Sequence, residues 1–514
     1  VKPVRLMSGF LTVGVWTLLS RVLGFARDII IAARLGDGPV AEAFLVAFSL
    51  PNMFRRFFAE GAFNMAFVPL FARKLEAGKD ALGFARDAAT GLASLLIVFT
   101  LIAQVAMPGL VLAMASGFAE DERFPMAVLF GRICFPYILL ISLAALLSGV
   151  LNASGRFVAA AAAPVMLNVV LVTAVLAAGW AGWPYGLALS VAVPVAGVAQ
   201  LAILWIAAAK AGFRVIPRRP QLTPELKRLA RIAGPAMLAG GVMQVNLLVG
   251  RQVASYYDGA IQYLNLADRL YQLPLGVIAI AIGVVLLPDL SRRIAAEDTV
   301  GGKAAMNRAA EFALLLTVPA ALALVAIPGP IVSVLYERGA FDTSAAARTA
   351  IVTAIYGAGL PAFVLQKVWQ PLYFARSDTK TPFHYALVAM VVNAGVALGL
   401  APWLGFYAAA LGTTLAGWIM LALLVRGARN MGEATRVDDR LRRRIPRIVL
   451  SALLMAALLV GLAWLLREPL AQGGWRYLAL FGLVASGILS YFAFAQWLGA
   501  TRLSEITGAM KRRR

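Results

Sequence analysis

Apolar runs of helical length recur from one end of this chain to the other, separated by short polar stretches. A helix needs about 20 mainly apolar residues to cross the hydrocarbon core of a bilayer. The pattern predicts fourteen such helices, over residues 8–35, 40–72, 82–107, 125–152, 157–180, 184–209, 230–256, 260–290, 305–327, 346–375, 381–402, 405–427, 447–466 and 476–498. Proline and glycine punctuate the joins, at Pro108-Gly109, Trp183-Pro184, Pro328-Gly329 and Gly473-Gly474. No polar stretch is long enough to form a separate soluble domain. Lys2 and Arg5 precede the first run, but Arg21, Arg27 and Asp28 interrupt it and no small-residue cleavage site follows, so it reads as a first transmembrane helix rather than a removed signal. The expected fold class is an all-α polytopic membrane protein.

The polar positions orient these helices. With the N-terminus inside, the inner loops hold Arg73, Lys74 and Lys79, then the run from Lys210 to Arg231, then Arg292 and Arg293, Arg376 and Lys380, and Arg436 to Arg444. The tail ends Lys511-Arg512-Arg513-Arg514. The outer loops hold few basic residues, such as Arg123, Arg338 and Arg467, and an acidic cluster at Glu120-Asp121-Glu122. Basic residues favour the cytoplasmic side, so both termini are expected there.

The chain partly matches itself at an offset of six helices. Ala106-Met107-Pro108-Gly109 falls on Ala326-Ile327-Pro328-Gly329, and Phe67-Val68-Pro69-Leu70 falls on Leu286-Leu287-Pro288-Asp289, each of these two followed by a basic pair. Two related lobes of equal orientation follow, expected over 1–215 and 216–430. Residues 431–514 add a basic loop and two helices outside the repeat. Parallel repeats are a plan of secondary transporters, with the substrate site between repeats near the midplane.

Composition sharpens this picture. Hydrophobic residues make up 61% and charged residues only 14%, against about 25% in soluble domains. The net charge of +22 would suggest nucleic acid in a soluble protein, but here its alternation between loops assigns it to topology and to anionic headgroups. The one cysteine, Cys134, and the one histidine, His384, exclude an internal disulfide framework and a cysteine-built metal site. Gly301-Gly302-Lys303-Ala304 lacks the remainder of a nucleotide-binding loop, so no ATP hydrolysis is expected. Asp438-Asp439 reads as solvated surface within a basic loop.

The charges inside the apolar runs carry the candidate chemistry. Helix 1 contains Ser20-Arg21-Val22-Leu23-Gly24-Phe25-Ala26-Arg27-Asp28, helix 2 contains Glu42, Asn52, Arg55, Arg56 and Glu60, and helix 8 contains Asp268-Arg269. Each arginine costs roughly 2.5–3.5 kcal/mol on insertion scales, so five cost on the order of 12–17 kcal/mol. They must face water, a partner charge or a ligand. Arg21 and Asp28 share a helix face at a spacing of seven. Arg56 and Glu60 are spaced to pair. Pro51 and Pro274 suggest bends beside the charges. Buried ion pairs stabilise poorly, whereas guanidinium forks match phosphate oxygens, and several around one cavity suit a pyrophosphate.

At these residues the chain resembles the MurJ (MviN) family of lipid II flippases, within the multidrug/oligosaccharidyl-lipid/polysaccharide exporter superfamily. The matching stretches are SRVLGFARD (20–28), AFLVAFSLPNMFRRFFAEGAF (43–63), FVPLF (67–71), ADRLYQLPLGV (267–277) and LLPDLS (286–291). The resemblance implies a flippase that moves lipid II, undecaprenyl-pyrophosphate-linked disaccharide-pentapeptide, from the cytoplasmic to the periplasmic leaflet for peptidoglycan synthesis. It assigns substrate binding to Arg21, Arg27, Arg55 and Arg269, and charge support to Asp28, Glu60 and Asp268, with Glu42 standing where some members have aspartate; Arg56 and Asn52 join these charge partners by helical spacing, on one stripe with Glu60. It also implies a lipid-tail groove at helices 13 and 14.

Some members bind sodium among helices 7, 11 and 12. This chain offers Asn246, Asn393 and Thr413, but Ala397 stands where an acidic ligand is expected, so no metal or cofactor is expected and the membrane potential or a monovalent ion is the expected driver. The resulting expectation is alternating access by a monomeric flippase in the bacterial inner membrane, meeting lipid II, membrane lipids and cell-wall synthesis proteins. The alternatives are a drug/cation antiporter or another polysaccharide-lipid flippase of the superfamily. A membrane transferase would need a catalytic carboxylate or histidine cluster, and a scaffold would leave the buried charges unexplained.

Overall fold

A computed structural model describes residues 3–55, 62–296, 298–376 and 378–501. Among these the regular structure is helical, apart from one isolated bridge between Arg338 and Phe341. The chain divides into two compact units.

The first unit holds Val1–Gln262 and Arg338–Phe341. Its helices are α1 (Pro3–Leu35), α2 (Pro39–Arg55), α3 (Ala62–Glu76), α4 (Ala81–Met114), α5 (Arg123–Cys134), α6 (Tyr137–Ala153), α7 (Val158–Ala181), α8 (Tyr185–Lys210) and α9 (Pro224–Ser255), together with the first residues of α10 (Ala260–Ala295). The second unit holds the rest of α10, then α11 (Thr299–Ala326), α12 (Pro328–Tyr336), α13 (Thr343–Phe374), α14 (Lys380–Leu404), α15 (Tyr407–Ala428), α16 (Asp439–Leu465), α17 (Arg467–Ala471) and α18 (Arg476–Trp497).

Ten helices among the described residues are long and apolar enough to cross a membrane. They match ten of the expected segments within about four residues, except that α4, α11 and α16 run six to eight residues further at one end, and α5 and α6 form one span broken at Phe135-Pro136. The other four expected segments fall on α1, α2 with α3, α9 and α10, which carry the intramembrane charges and amides. Segment 40–72 is helical to Arg55 and again from Ala62; Arg56 and Glu60 lie outside the described residues. Pro51, Pro108, Pro164 and Pro194 all sit inside helices, as membrane helices tolerate when neighbours satisfy the freed backbone groups.

In the first unit, α9 is held by its C-terminal end. Gln252 Oε1 accepts from the Ser116 amide at 2.9 Å, Gln252 Nε2 donates to the Leu112 carbonyl at 2.8 Å, and Ser255 Oγ accepts from the Gly117 amide at 2.9 Å. The compact boundary therefore falls after α9, whereas the repeat boundary expected from sequence falls before it. The segment Arg338–Phe341 docks on the end of α1: the Ala340 amide donates to the Ala33 carbonyl at 2.9 Å. Gly36 and Gly339 permit this approach. Both have positive φ, and an added Cβ would stand 2.6 Å from the Ala340 oxygen and 2.2 Å from the Ala33 oxygen.

The loop after α8 is less solvated than its charge suggests. Arg218 pairs with Asp87 of α4 at 2.5 Å, and Lys74 pairs with Glu225 at 2.7 Å. In the second unit, α16 and α18 pack on α11 and α12 through a core that includes Leu315, Val334, Ile448, Met455, Leu483 and Tyr491. The Tyr491 hydroxyl donates to the Leu315 carbonyl at 2.8 Å. At the α16 start, Glu311 of α11 accepts from Arg308, Arg440 and Arg444. Asp438 is not the solvated carboxylate expected. It caps α16 by accepting from the Leu441 amide at 2.7 Å, its own amide donates to Asn307 at 2.9 Å, and it pairs with Arg308. An aspartate just before an amphipathic helix satisfies an otherwise orphaned amide there.

Candidate binding site

The arginines of the first unit differ sharply in environment. Arg27 is 6% exposed and Asp28 is also 6% exposed. Arg27 Nε and Nη2 both donate to Asp28 Oδ1, at 2.9 and 2.7 Å, while Nη1 donates to Asn168 Oδ1 of α7 at 3.0 Å. Asn168 Nδ2 in turn donates to the Ser20 carbonyl at 2.9 Å, closing a loop between α1 and α7. Asn168 packs over Gly24, its Oδ1 at ordinary contact distance, 3.5 Å, from where a Cβ would stand. Asp28 thus serves its chain neighbour Arg27; the expected Arg21–Asp28 pairing along one face does not form. A long guanidinium arm folds onto the next residue once a third side chain fixes its far nitrogen.

Arg21 is exposed and lines a pocket of about 430 Å³ between α1, α6 and α7. Arg55 ends the described part of α2 and is half-buried. Its neighbour Phe54 packs edge-on against Phe99 and Phe135, with centroids 5.0 and 5.8 Å away. Asn52 Nδ2 is spent within α2, donating to the Phe48 carbonyl at 2.7 Å.

Glu42 is 1% exposed and belongs to a different cluster. It accepts from Arg123 Nη1 at 2.7 Å and from the Ile261 amide at 3.0 Å. Arg123, expected as a loop residue, is itself 6% exposed and also grips Asp121. Glu42 is therefore the partner of Arg123 rather than a support for the four named arginines. Outside the spans, burial alone would push the Asp121 carboxyl up, but hydrogen bonds from the Arg123 side chain and amide hold it below the usual range.

In the second unit, Asp268 and Arg269 sit half-buried near the start of α10. Asp268 accepts from Gln272 one turn on. Tyr271 packs against Tyr356 and Phe363 of α13, with centroids 5.3 and 5.8 Å apart. Spacings of seven and four put Tyr356, Phe363 and Lys367 on one face of α13. Lys367 is exposed there and is absent from the charges singled out by sequence. A single lysine between Arg348 and Arg376 in an otherwise uncharged run was the available signal.

Of the sodium candidates, Asn393 lies on α14 and Thr413 on α15. Thr413 Oγ1 donates within its helix to the Ala409 carbonyl at 3.1 Å. Asn393 is buried where α14 meets Gly412 of α15; an added Cβ at Gly412 would stand 2.7 Å from its Oδ1. The Asn246 side chain lies outside the described ones. Among the described residues, no three His, Cys, Asp or Glu side chains cluster to hold a metal ion.

A family model described as "Lipid II flippase MurJ" matches residues 31–486. The chain belongs to the MurJ family. A MurJ relative from Rhizobium meliloti (strain 1021), named a probable lipid II flippase, is 45% identical over 519 residues, covering 99% of this chain and 96% of the relative. The MurJ of Burkholderia cenocepacia, named a lipid II flippase, is 36% identical over 83% of this chain and 84% of its own length. A solved structure titled "Lipid II flippase MurJ, inward closed conformation" superposes with a TM-score of 0.79 at 23% identity, over 94% of this chain and 98% of that one. An inward-facing MATE family transporter of the MOP superfamily follows the same fold with a TM-score of 0.68 at 14% identity, over 81% and 95%. The chain is accordingly a helical, multi-pass membrane protein, as its apolar pattern implied.

Proposed function

We propose that this chain is a lipid II flippase, a transporter and not an enzyme, that carries the lipid-linked peptidoglycan precursor from the cytoplasmic to the periplasmic leaflet for cell-wall synthesis. The observation that carries this reading is identity of 45% across 99% of the chain to a relative named a probable lipid II flippase. The charge inside the predicted spans agrees with it. Arg21, Arg27, Arg55 and Arg269 favour an anionic pyrophosphate headgroup, whereas a drug/cation antiporter would call for an excess of carboxylates.

In this reading Arg21, Arg55 and Arg269 hold the pyrophosphate, and Arg27 acts from its buried pair with Asp28. Asp268, Arg56 and Glu60 balance the charge as the two lobes, 1–215 and 216–430, rock in alternating access. The tail follows helices 13 and 14, within 431–514. Both termini are cytoplasmic, the protein works as a monomer in the bacterial inner membrane, and the membrane potential supplies the drive. The test is translocation by the purified chain in liposomes, comparing lipid II with a polyprenyl-linked sugar that lacks the peptide, with and without an imposed potential. Transport of lipid II that strengthens with the potential supports the reading; no lipid II transport in either condition overturns it.

A further inference from the structure

Arg21 stands near the middle of α1, yet it is exposed, and no hydrogen bond or ion pair reaches it among the described residues. It contrasts with Arg27, whose charge is already met by Asp28. A guanidinium left open at membrane depth marks a ligand or water path rather than packing.

Polar groups from two helices meet in its pocket, beside the apolar residues Ala160, Ala161 and Pro164 of α7. Thr17, Ser20 and Arg21 lie on one face of α1; Ser148 and Asn152 are one turn apart on α6; Phe157 closes the side before α7. The volume of about 430 Å³ falls within the range of small-molecule sites, roughly 300–1,000 Å³. One cation beside three hydroxyls and an amide on neighbouring turns fits a phosphate joined to a hydroxyl-rich ring. A bare hydrophobic tail would leave every one of these groups unpaired.

We propose that this pocket of the first unit is the subsite for the sugar next to the pyrophosphate. Arg21 takes a phosphate oxygen, and Ser148, Asn152 and Thr17 take sugar hydroxyls. Arg27 is by contrast a positioning residue, which fixes α1 to α7 through Asn168 and so sets the angle at which Arg21 enters the pocket. This assignment rests on the lipid II reading above and deepens it.

Binding by the full chain in lipid nanodiscs tests it, with two probes: lipid II, and undecaprenyl pyrophosphate that carries no sugar. The double variant Ser148→Ala/Asn152→Ala should bind lipid II about threefold to tenfold more weakly and the sugar-free probe within twofold of wild type. Arg21→Gln should weaken both probes by about tenfold or more, and Arg21→Lys should recover part of the loss. Thr17→Val, which keeps the side-chain volume, serves as a second hydroxyl deletion if the double variant fails to fold. Equal losses on both probes for the Ser148/Asn152 change, or no loss on either, overturn the subsite. Wild-type protein that binds the sugar-free probe and not lipid II overturns the flippase reading instead.

Discussion

Asn168 of α7 accepts from Arg27 of α1 at 3.0 Å and ties this buried guanidinium to another helix. The pair decides what Arg27 can do. With Asp28 on one side and Asn168 on the other, its charge is neutralised and its direction fixed. Asn168→Leu removes the acceptor and leaves Arg27 Nη1 unsatisfied in a buried site, which should cost about 1–3 kcal/mol. Thermal unfolding in detergent checks the stability loss. The translocation rate should fall with it, because α1 loses its register on α7.

Glu42 and Arg123 form the second buried pair, bridging α2 and α5. Removing one partner strands a charge, whereas replacing both with apolar groups does not. Arg123→Leu should destabilise by about 3–5 kcal/mol, and Glu42→Leu/Arg123→Leu should recover much of that loss. A double-mutant cycle on unfolding midpoints reads the coupling. Additive losses would show that the pair does not act as a unit.

Lys367 shares the α13 face that meets Tyr271 of α10. An exposed lysine in a membrane helix is expected to serve transport. Lys367→Gln should lower lipid II translocation about tenfold with an unchanged unfolding midpoint, and Lys367→Arg should keep most of the activity. Full activity in Lys367→Gln would remove it from the transport path.

Gly339 admits no side chain. Its φ of +59° and an added Cβ at 2.2 Å from the Ala33 oxygen combine two penalties. Gly339→Ala should detach the segment Arg338–Phe341 from α1, by more than the roughly 1 kcal/mol of an ordinary glycine replacement. Hydrogen exchange at the Ala340 amide, which donates to Ala33, reports the detachment directly.

The helices were legible because a bilayer forces apolar runs of near-uniform length, and ten described helices fall on ten expected segments. The intramembrane arginines were legible because charge is rare there. Their partners were not. Asp28 was read by helical spacing as the mate of Arg21, but a residue 141 positions from Arg27 fixes the guanidinium and brings it onto Asp28. Glu42 meets Arg123 across 81 positions, a distance no local period encodes. Asp438 was hidden by its basic surroundings, although aspartate before a helix is a cap signal. The docking of α9 on the first unit depends on Gln252 and Ser255 meeting backbone groups near Ser116, which the repeat pattern does not describe.

The central claim is that arginines in these membrane helices carry lipid II across the bilayer. It is tested most directly by lipid II translocation in liposomes by wild type, Arg27→Ala and Arg269→Ala, each shown to insert and fold. The account predicts transport by wild type and its loss in both variants at equal protein incorporation. Full transport by both variants would contradict it.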